Sequence, residues 1–360
     1  SLAGRARSVC AAGRGGARVR ILQLHDEPWD SGLAHYALTL SAELARRGHD
    51  VRFWAAAGSH AARQARFLGL KTTELSRPWL SLSGWRAQLR REDFDVVNAH
   101  TGSSHSLAAA LIAGTGISLV RTRGEARPAK AHALARALAR RTAMFLAANE
   151  SIAQQLRRLF PGRRVETVHQ GLPVPEQAPL PAEPVVGILA RLDPVKGHED
   201  LFAASRLLCD DFPEARFLAA GDGALRGPLE RAAASSDGRF KLLGYVPDAL
   251  KFIERCRVGV VASRGSEAVS RAALEWMSLG RPLVATHVGC LAELVEDGVT
   301  GLLVLPGEPQ ALATALETLL GSPERASAMG HAARQRFLSR FTLQAFAERT
   351  ERLYEEARRA

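Results

Sequence analysis

The 360-residue chain has no long apolar run, few aromatic residues and few cysteines. No stretch approaches the roughly 20 apolar residues of a membrane-spanning helix, so we expect none. Aromatic residues make up 6% of the chain, too few to indicate a stacking platform for nucleic-acid bases. The cysteines lack the spacing of a metal site, which favours reduced, mostly buried thiols in a cytoplasmic protein. They are Cys10, Cys209, Cys256 and Cys290.

The beginning of the chain does not resemble a secretory signal. Residues 1–20 mix Arg, Gly and Ala without an apolar core, and such a core is what a signal peptide requires. We expect a disordered lead-in over residues 1–17. An Arg- and Ala-rich transit peptide is the alternative interpretation.

The net charge of +11 is concentrated in the first half of the chain. Residues 1–180 hold 26 Lys/Arg and 13 Asp/Glu, whereas residues 181–360 hold 22 and 24. A basic surface attracts anionic partners such as phospholipid headgroups, phosphorylated glycolipids or nucleic acid. The scarcity of aromatic residues argues against nucleic acid. The alternative is that the arginines only keep the protein soluble.

The pattern of apolar residues predicts two α/β domains. The chain length suits two domains, and in both halves buried strand patterns alternate with amphipathic helix patterns, which favours parallel sheets covered on both faces. A proline-rich linker at 171–184 separates the halves. We therefore predict domains at 18–175 and 176–340, with a final helical segment at 341–360. Ligands should bind at the carboxyl ends of the strands, in the cleft between the domains.

The segment from Val258 to Val304 carries the most chemistry. A buried strand is followed by a polar turn and by a helix that begins near Val269 or Ser270. Unpaired backbone N–H groups at a helix start bind anions, including a diphosphate. Glu267 in the turn and Glu275 inside the helix could each accept hydrogen bonds from a sugar diol. The alternative is a helix cap and a solvated glutamate.

Three further segments place polar groups after predicted strands. Arg191 and Lys196 follow the strand Val185–Ala190 and could neutralise charge on a departing diphosphate, a task that metal ions perform in other transferases. Surface salt bridges are the alternative. His100 follows a buried strand and could contact a sugar hydroxyl or transfer a proton, although a lone histidine is more often structural. Gly32 opens a helix and would let a phosphate approach the backbone. Because no His/Asp/Glu set clusters along the sequence, we expect no metal and no cofactor.

Together these segments resemble the retaining glycosyltransferases of family 4. The resemblance rests on Glu267-x7-Glu275 with its trailing GRPLVATHVGCLAELVEDGVTGLLV, on RLDPVKG, on SGLAHYALTLSAELARRGHDV, on AAGDG and on LGYVPD, and it covers the chain from about residue 18. It implies the GT-B fold, in which two doubly wound Rossmann-like domains face a central cleft. The final helix, about 341–359, would cross back to the first domain.

The resemblance also implies roles for individual residues. Glu267 would touch the donor hexose and Glu275 the nucleotide ribose. The other implied contacts are Arg191 and Lys196 with the diphosphate, Gly32 with the phosphate or sugar, His100 with the transferred hexose, and the backbone near Val246 with the base. In place of the common Gly-Phe-Gly after the first glutamate, this chain has Ala268-Val269-Ser270.

The phrase VRTRGEARPAKAHALARALARR resembles the subset that builds bacterial lipopolysaccharide and other envelope glycans. Its basic residues could dock an anionic membrane or a phosphorylated lipid acceptor; a solvated helix face is the alternative. The predicted docking residues are Arg121, Arg123, Arg127, Arg136, Arg140 and Arg141.

The expected activity is transfer of a hexose from a nucleotide diphosphate sugar, with UDP favoured, to a lipid-linked or lipopolysaccharide-type glycan. The resemblance implies a retaining, metal-independent reaction in the cytoplasm, with peripheral attachment to the inner membrane as an option. The alternatives are another GT-B enzyme, such as a nucleotide-sugar epimerase, and a non-catalytic sugar-nucleotide binding protein.

Overall fold

A computed structural model describes residues 18–125, 130–265 and 267–359. The expected lead-in at 1–17 and Arg127 lie outside the described residues. Within the described part of the chain, no helix is long and apolar enough to cross a membrane.

Strands and helices alternate through the first domain, as the apolar pattern predicts. The strands are β1 (Arg20–His25), β2 (Asp50–Ala56), β3 (Lys71–Leu75), β4 (Val96–Ala99), β5 (Ser118–Arg123), β6 (Met144–Ala147) and β7 (Val165–Thr167). The helices are α1 (Gly32–Arg46), α2 (His60–Phe67), α3 (Leu82–Glu92), α4 (Gly102–Leu111), α5 (Ala133–Arg141) and α6 (Glu150–Leu159).

The second domain repeats this alternation and ends in helices. Its strands are β8 (Val185–Leu189), β9 (Arg216–Ala220), β10 (Phe240–Gly244), β11 (Val258–Val261), β12 (Leu283–Thr286) and β13 (Gly301–Val304). The helices that follow β8 are α7 (His198–Leu207), α8 (Arg226–Ala233), α9 (Ala249–Glu254), α10 (Arg271–Ser278), α11 (Leu291–Leu294), α12 (Pro309–Leu320), α13 (Pro323–Arg340) and α14 (Leu343–Arg359).

Each domain is built on one parallel sheet with a reversal in its strand order. The first sheet has the order β3-β2-β1-β4-β5-β6-β7, and the second has β10-β9-β8-β11-β12-β13. Where the order reverses, between β1 and β4 and between β8 and β11, neighbouring loops diverge and leave a crevice at the carboxyl ends of the strands. This topology confirms the predicted pair of doubly wound domains and gives each domain one place suited to a ligand.

Helix α14 completes the core of the first domain, although it comes last in the chain. Its apolar face contributes Phe346, Leu353 and Tyr354 to a cluster that also holds Tyr36 and Leu40 of α1. The rings of Tyr36 and Phe346 lie 4.7 Å apart in an edge-to-face arrangement. Truncation of the last helix would therefore expose the core of the first domain and leave the core of the second largely intact.

The sequence pattern predicted no helix or strand for the segment between β2 and β4. This segment contains α2, β3 and α3. Strand β3 buries only Leu75 and α3 buries only Leu89, whereas the short helix α2 buries three alanines. An edge strand and a solvent-facing helix need few apolar residues, so their periodicity is weak.

Candidate active site in the cleft between the domains

Two cavities lie at the reversal points of the two sheets and share a wall. The larger, about 730 Å³, is lined mainly by the loops that follow β1 and β4. The smaller, about 360 Å³, is lined by the carboxyl ends of β8 and β11 and by the start of α10. Both are lined by Gly32, Lys196, Glu267 and Val269. The predicted donor residues therefore lie between the two cavities. After the predicted roles of the two domains, we call the larger space the acceptor side of the cleft and the smaller one the donor cavity.

The smaller cavity has the chemistry of an anion site. Ser270 precedes α10, and Val269, Ser270 and Arg271 all line the cavity. The backbone N–H groups of this first helical turn carry partial positive charge. Arg191 and Lys196 line the same space, and the side chain of Arg191 is 78% exposed and lies 3.8 Å from Asp193. Two cations and a helix start thus converge where a diphosphate would bind.

Glu267 is buried at the junction of the cavities by three contacts from different parts of the second domain. Its carboxylate forms an ion pair with Lys196 and accepts a hydrogen bond of 2.5 Å from the Ser263 hydroxyl. The backbone N–H of Cys290 donates to the Glu267 carbonyl at 2.7 Å. Gly289 permits this approach, since a Cβ there would lie 2.1 Å from the same carbonyl oxygen. Glu267 is therefore held in place before any ligand arrives.

Glu275 and Val246 lie further from the cavities in this structure. Glu275 is buried inside α10, where Arg271 Nε donates to its Oε1 at 2.7 Å. Val246 follows β10 and packs beside the core of the second domain. Neither is among the residues that line the two cavities. Their contacts with a ribose and a base stay predictions.

Gly32 occupies the position where the first domain approaches the donor side. It is the first residue of α1, and the preceding Ser31 caps the helix by accepting a hydrogen bond from Ala34 N at 3.1 Å. A Cβ on Gly32 would meet nothing within 4 Å. The protein's own packing thus does not require glycine here, and the space that the missing side chain leaves opens into both cavities.

Acidic side chains line the acceptor side of the cleft. The sequence analysis did not identify these residues as part of the site. Asp26 and Glu27 follow β1, and Glu125 follows β5. His25, whose Nε2 lies 3.6 Å from the Glu27 carboxylate, lowers the pKa of Glu27 despite partial burial, and the Ser31 hydroxyl donates a hydrogen bond of 2.6 Å to the same carboxylate. The signal was available in the letters DEPWDSG directly after a buried strand. Carboxylates in this position suit an acceptor rich in hydroxyl groups.

His100 does not reach either cavity in this structure. Its side chain is fully buried, and its Nε2 lies 2.7 Å from Gln23 Oε1. Burial, together with neighbouring His25 and Arg121, holds the pKa of His100 well below its usual value, so the imidazole is neutral. The contact with the transferred hexose stays a prediction. The next residue, Thr101, is the one that lines the cleft.

The predicted docking arginines separate into two groups. The predicted docking role of Arg121 is wrong. Arg121 is 3% exposed, donates to Ala99 O at 3.2 Å and forms an ion pair with Glu125 at 2.8 Å, so it cannot contact a membrane. Arg123, whose pKa is lowered by burial, lines the cleft instead. The exposed members lie on α5 and are Arg136, Arg140 and Arg141.

The sequence showed no His/Asp/Glu cluster, whereas the fold brings three such residues together; the expectation that no metal is bound stays a prediction. Asp30, His35 and His60 offer ligand atoms that all lie within 4.8 Å of one another. They are up to 30 positions apart in the chain, which is why no motif spacing revealed them. Cys256 and Cys290 are buried, as expected, and burial raises the pKa of Cys256 to about 12 and that of Cys290 as well; Cys209 is half-buried, and Cys10 lies outside the described residues.

Comparison with known proteins places both halves of the chain among glycosyltransferases. Residues 31–174 match the model of Glycosyltransferase Family 4, and residues 183–322 match the model of Glycosyl transferases group 1. The alpha-D-kanosaminyltransferase of Streptomyces kanamyceticus is 30% identical over 185 residues, which cover 50% of this chain and 48% of that protein. A glycogen synthase of Mycobacterium tuberculosis is 27% identical over 335 residues, 87% of this chain and 77% of that protein. The match thus spans about half of the first relative and about three quarters of the second.

Solved structures show the same fold. HepE of Anabaena, crystallised with UDP, superposes with a TM-score of 0.82 at 19% identity, over 93% of this chain and 99% of that one. The lipopolysaccharide outer core galactosyltransferase WaaB superposes with a TM-score of 0.73 at 14% identity, over 92% and 98%. The chain therefore has the GT-B fold, and its first and second halves match the models of Glycosyltransferase Family 4 and of Glycosyl transferases group 1.

Proposed function

We propose that this protein transfers a hexose from a UDP-sugar to a lipid-linked or lipopolysaccharide-type glycan, with retention and without a catalytic metal. The observation that carries the donor part is the convergence of Arg191, Lys196 and the start of α10 on one cavity. HepE binds UDP and UDP-glucose in its crystal structures, which supports UDP as the nucleotide. WaaB is a lipopolysaccharide galactosyltransferase, which supports the acceptor class.

In the proposed reaction an acceptor hydroxyl attacks the anomeric carbon of the donor hexose. The bond from that carbon to the diphosphate oxygen breaks, and the hydroxyl proton passes to the departing diphosphate. Negative charge grows on the diphosphate, where Arg191, Lys196 and the N–H groups at the start of α10 stabilise it. Lys196 must exchange its ion pair with Glu267 for the diphosphate. That exchange frees the Glu267 carboxylate to accept hydrogen bonds from the hexose.

The lipid part of the proposal rests on the exposed surface of the first domain. Helix α5 presents Arg136, Arg140 and Arg141 to solvent, and Leu134 on the same helix is 58% exposed. A third cavity, of about 420 Å³, lies beneath α5, with an apolar wall that includes Leu138 and a polar rim. Exposed arginines beside exposed apolar groups suit an anionic membrane surface.

The first experiment is a thermal-shift screen of the full chain with UDP, GDP, ADP and CMP and their common sugars. A ligand that binds the folded state raises the melting temperature by mass action. We expect a shift with UDP compounds, and a loss of that shift in Lys196→Met. A shift with another nucleotide alone would overturn the choice of UDP, and no shift with any of them would contradict the donor site.

Turnover then separates the alternatives. We expect UDP release from a UDP-hexose to require an acceptor glycan. A changed sugar without any acceptor would indicate an epimerase, and donor binding without turnover, even with envelope glycolipids from a Gram-negative extract, would indicate a binding protein.

Vesicle binding tests the membrane part. Anionic vesicles should retain the protein, and replacement of Arg136, Arg140 and Arg141 by Gln should release it. The matched control carries the same replacement at Arg206, Arg231 and Arg325, which are exposed on helices of the second domain. If the vesicles retain both variants equally, the arginines of α5 do not bind the membrane and form an ordinary solvated helix face.

A further inference from the structure

Three side chains from separate elements face one another at the rim of the donor cavity. Asp30 lies in the loop after β1, His35 lies in the second turn of α1, and His60 is the first residue of α2. Asp30 Oδ1 is 2.9 Å from His35 Nε2 and 3.6 Å from His60 Nε2. The two imidazole rings have centroids 6.0 Å apart in an edge-to-face arrangement. One carboxylate oxygen thus stands between two ring nitrogens.

One of these nitrogens has no hydrogen-bond partner in the described part of the chain. His60 Nε2 is inaccessible to water, and its separation of 3.6 Å from Asp30 is too long for a hydrogen bond. Buried polar atoms without partners are uncommon and costly in proteins. A simple Asp30–His35 hydrogen bond explains the first contact and leaves this nitrogen unexplained. A cation shared by all three groups would satisfy both.

The donor set is that of a transition metal ion. Imidazole nitrogens suit Zn²⁺ and its neighbours, whereas Mg²⁺ prefers oxygen ligands. Around Zn²⁺, with bonds of about 2.0–2.1 Å, tetrahedral ligand atoms stand roughly 3.4 Å apart, and the observed separations lie within 4.8 Å. Burial also lowers the pKa of His35, which favours the neutral imidazole that ligates metals.

We propose that Asp30, His35 and His60 form a binding site for Zn²⁺ or a similar divalent transition metal ion. Three protein ligands leave at least one coordination position for water or another oxygen ligand. The backbone already brings the elements together, since His60 N donates to Pro28 O at 3.4 Å. A metal here would join the loop after β1 to the starts of α1 and α2.

The position of the proposed metal site suggests a structural role for the ion, which is distinct from stabilising the leaving group. Gly32 lies between Asp30 and His35 in the chain, and His35 itself lines the donor cavity. Metal binding would fix the loop that carries Gly32 at the cavity rim. The site belongs to the first domain alone, so the proposal does not rest on the donor or on the proposed reaction.

Zn²⁺ titration of the full chain, tag-free, stripped with a chelator and without nucleotide, tests the site. Calorimetry should show saturable binding of one ion per chain, with no comparable signal from Mg²⁺. Asp30→Asn and His60→Ala should each weaken Zn²⁺ binding at least about tenfold. The control His331→Ala removes an exposed histidine on α13 and should leave it unchanged.

A second readout guards against misfolded variants. Zn²⁺ should raise the melting temperature of the unsubstituted protein and of His331→Ala but not of Asp30→Asn, and all three should melt alike in chelator. Because Asp30 is exposed, its conversion to Asn should leave the fold intact. Unchanged Zn²⁺ affinity in both Asp30→Asn and His60→Ala, or the absence of stoichiometric binding to the unsubstituted chain, would overturn the proposal.

Discussion

The carboxylate of Glu293 in the second domain accepts hydrogen bonds from the backbone N–H of Glu150, the first residue of α6 in the first domain, at 2.8 and 2.9 Å. A negative charge at a helix N-terminus is favourable because the N–H groups there are unpaired. His169 Nε2 lies 2.7 Å from the same carboxylate. Nearby, Asn149 Nδ2 donates to Ala268 O at 2.8 Å. These contacts join the two domains beside the loop that carries the donor residues.

Loss of this carboxylate should favour an open cleft. In Glu293→Ala the N-terminus of α6 loses its partner from the second domain, so we expect a larger radius of gyration by small-angle scattering and a several-fold higher donor KM. The control Glu296→Ala removes a neighbouring carboxylate that pairs with Arg336 inside the second domain. If Glu293→Ala scatters and binds donor like the control, these hydrogen bonds do not hold the domains together.

Removal of the Lys196 charge should slow the chemical step. Lys196→Met keeps most of the side-chain length but removes the cation that we place on the departing diphosphate. We expect kcat to fall about 10²- to 10³-fold, the usual cost of one lost charge-stabilising group. Arg191→Ala should act in the same direction. Lys251→Met, on the exposed face of α9, is the control. A higher KM with normal kcat would instead assign Lys196 to ground-state binding.

We expect glycine to be required at position 289 because of its close contact with the Glu267 carbonyl, and less because of its positive φ angle. Gly289 has φ of +55°, and an added Cβ would lie 2.1 Å from the Glu267 carbonyl. Gly298 has φ of +74° and open space around it. Gly298→Ala should therefore cost only the backbone term of roughly 1 kcal/mol, whereas Gly289→Ala should cost more and also reduce activity through Glu267. Urea unfolding and turnover measure the two effects; equal costs would mean that the loop relaxes freely.

Attachment of the final helix should weaken in acid. Although burial opposes it, hydrogen bonds from His49 and Arg47 lower the pKa of Glu351 on α14 to about 2, from a usual value of 4.5. The carboxylate thus contributes stability above pH 4.5, and this contribution is lost as the pH falls toward 2. Because Glu351 is partly exposed, solvent screening makes this contribution smaller than the full pKa shift alone would give.

Glu351→Gln measures this contribution. The variant should have a lower urea midpoint than the unsubstituted protein at pH 7, and the difference should shrink between pH 4.5 and pH 3. Glu355→Gln, one turn further along α14, should show no such pH dependence. A midpoint difference that stays constant down to pH 3 would show that the hydrogen bonds do not depend on the charge of Glu351.

The sequence by itself determined the alternation of strands and helices, the position of the linker and the residue types at the ends of β8 and β11. These features follow from local physics: burial produces periodicity, proline interrupts regular structure, and a strand followed by a helix places its turn at the sheet's carboxyl edge. For that reason Arg191, Lys196, Glu267 and Ser270 could be named together. The elements β3 and α3 were not predicted because each buries a single residue, and α2 was not predicted although it buries three alanines.

Only the tertiary structure decided which side chains meet. Arg121 belongs to a basic run in the sequence, but the sheet buries it beside Glu125. His100, the residue after β4, lies buried under the surface and does not line the cleft. The Lys196–Glu267 ion pair spans 71 positions and the Glu293–Glu150 contact spans 143. Such partners depend on how loops from different strands converge, and this convergence is set by the packing of the whole domain and leaves no local pattern in the chain.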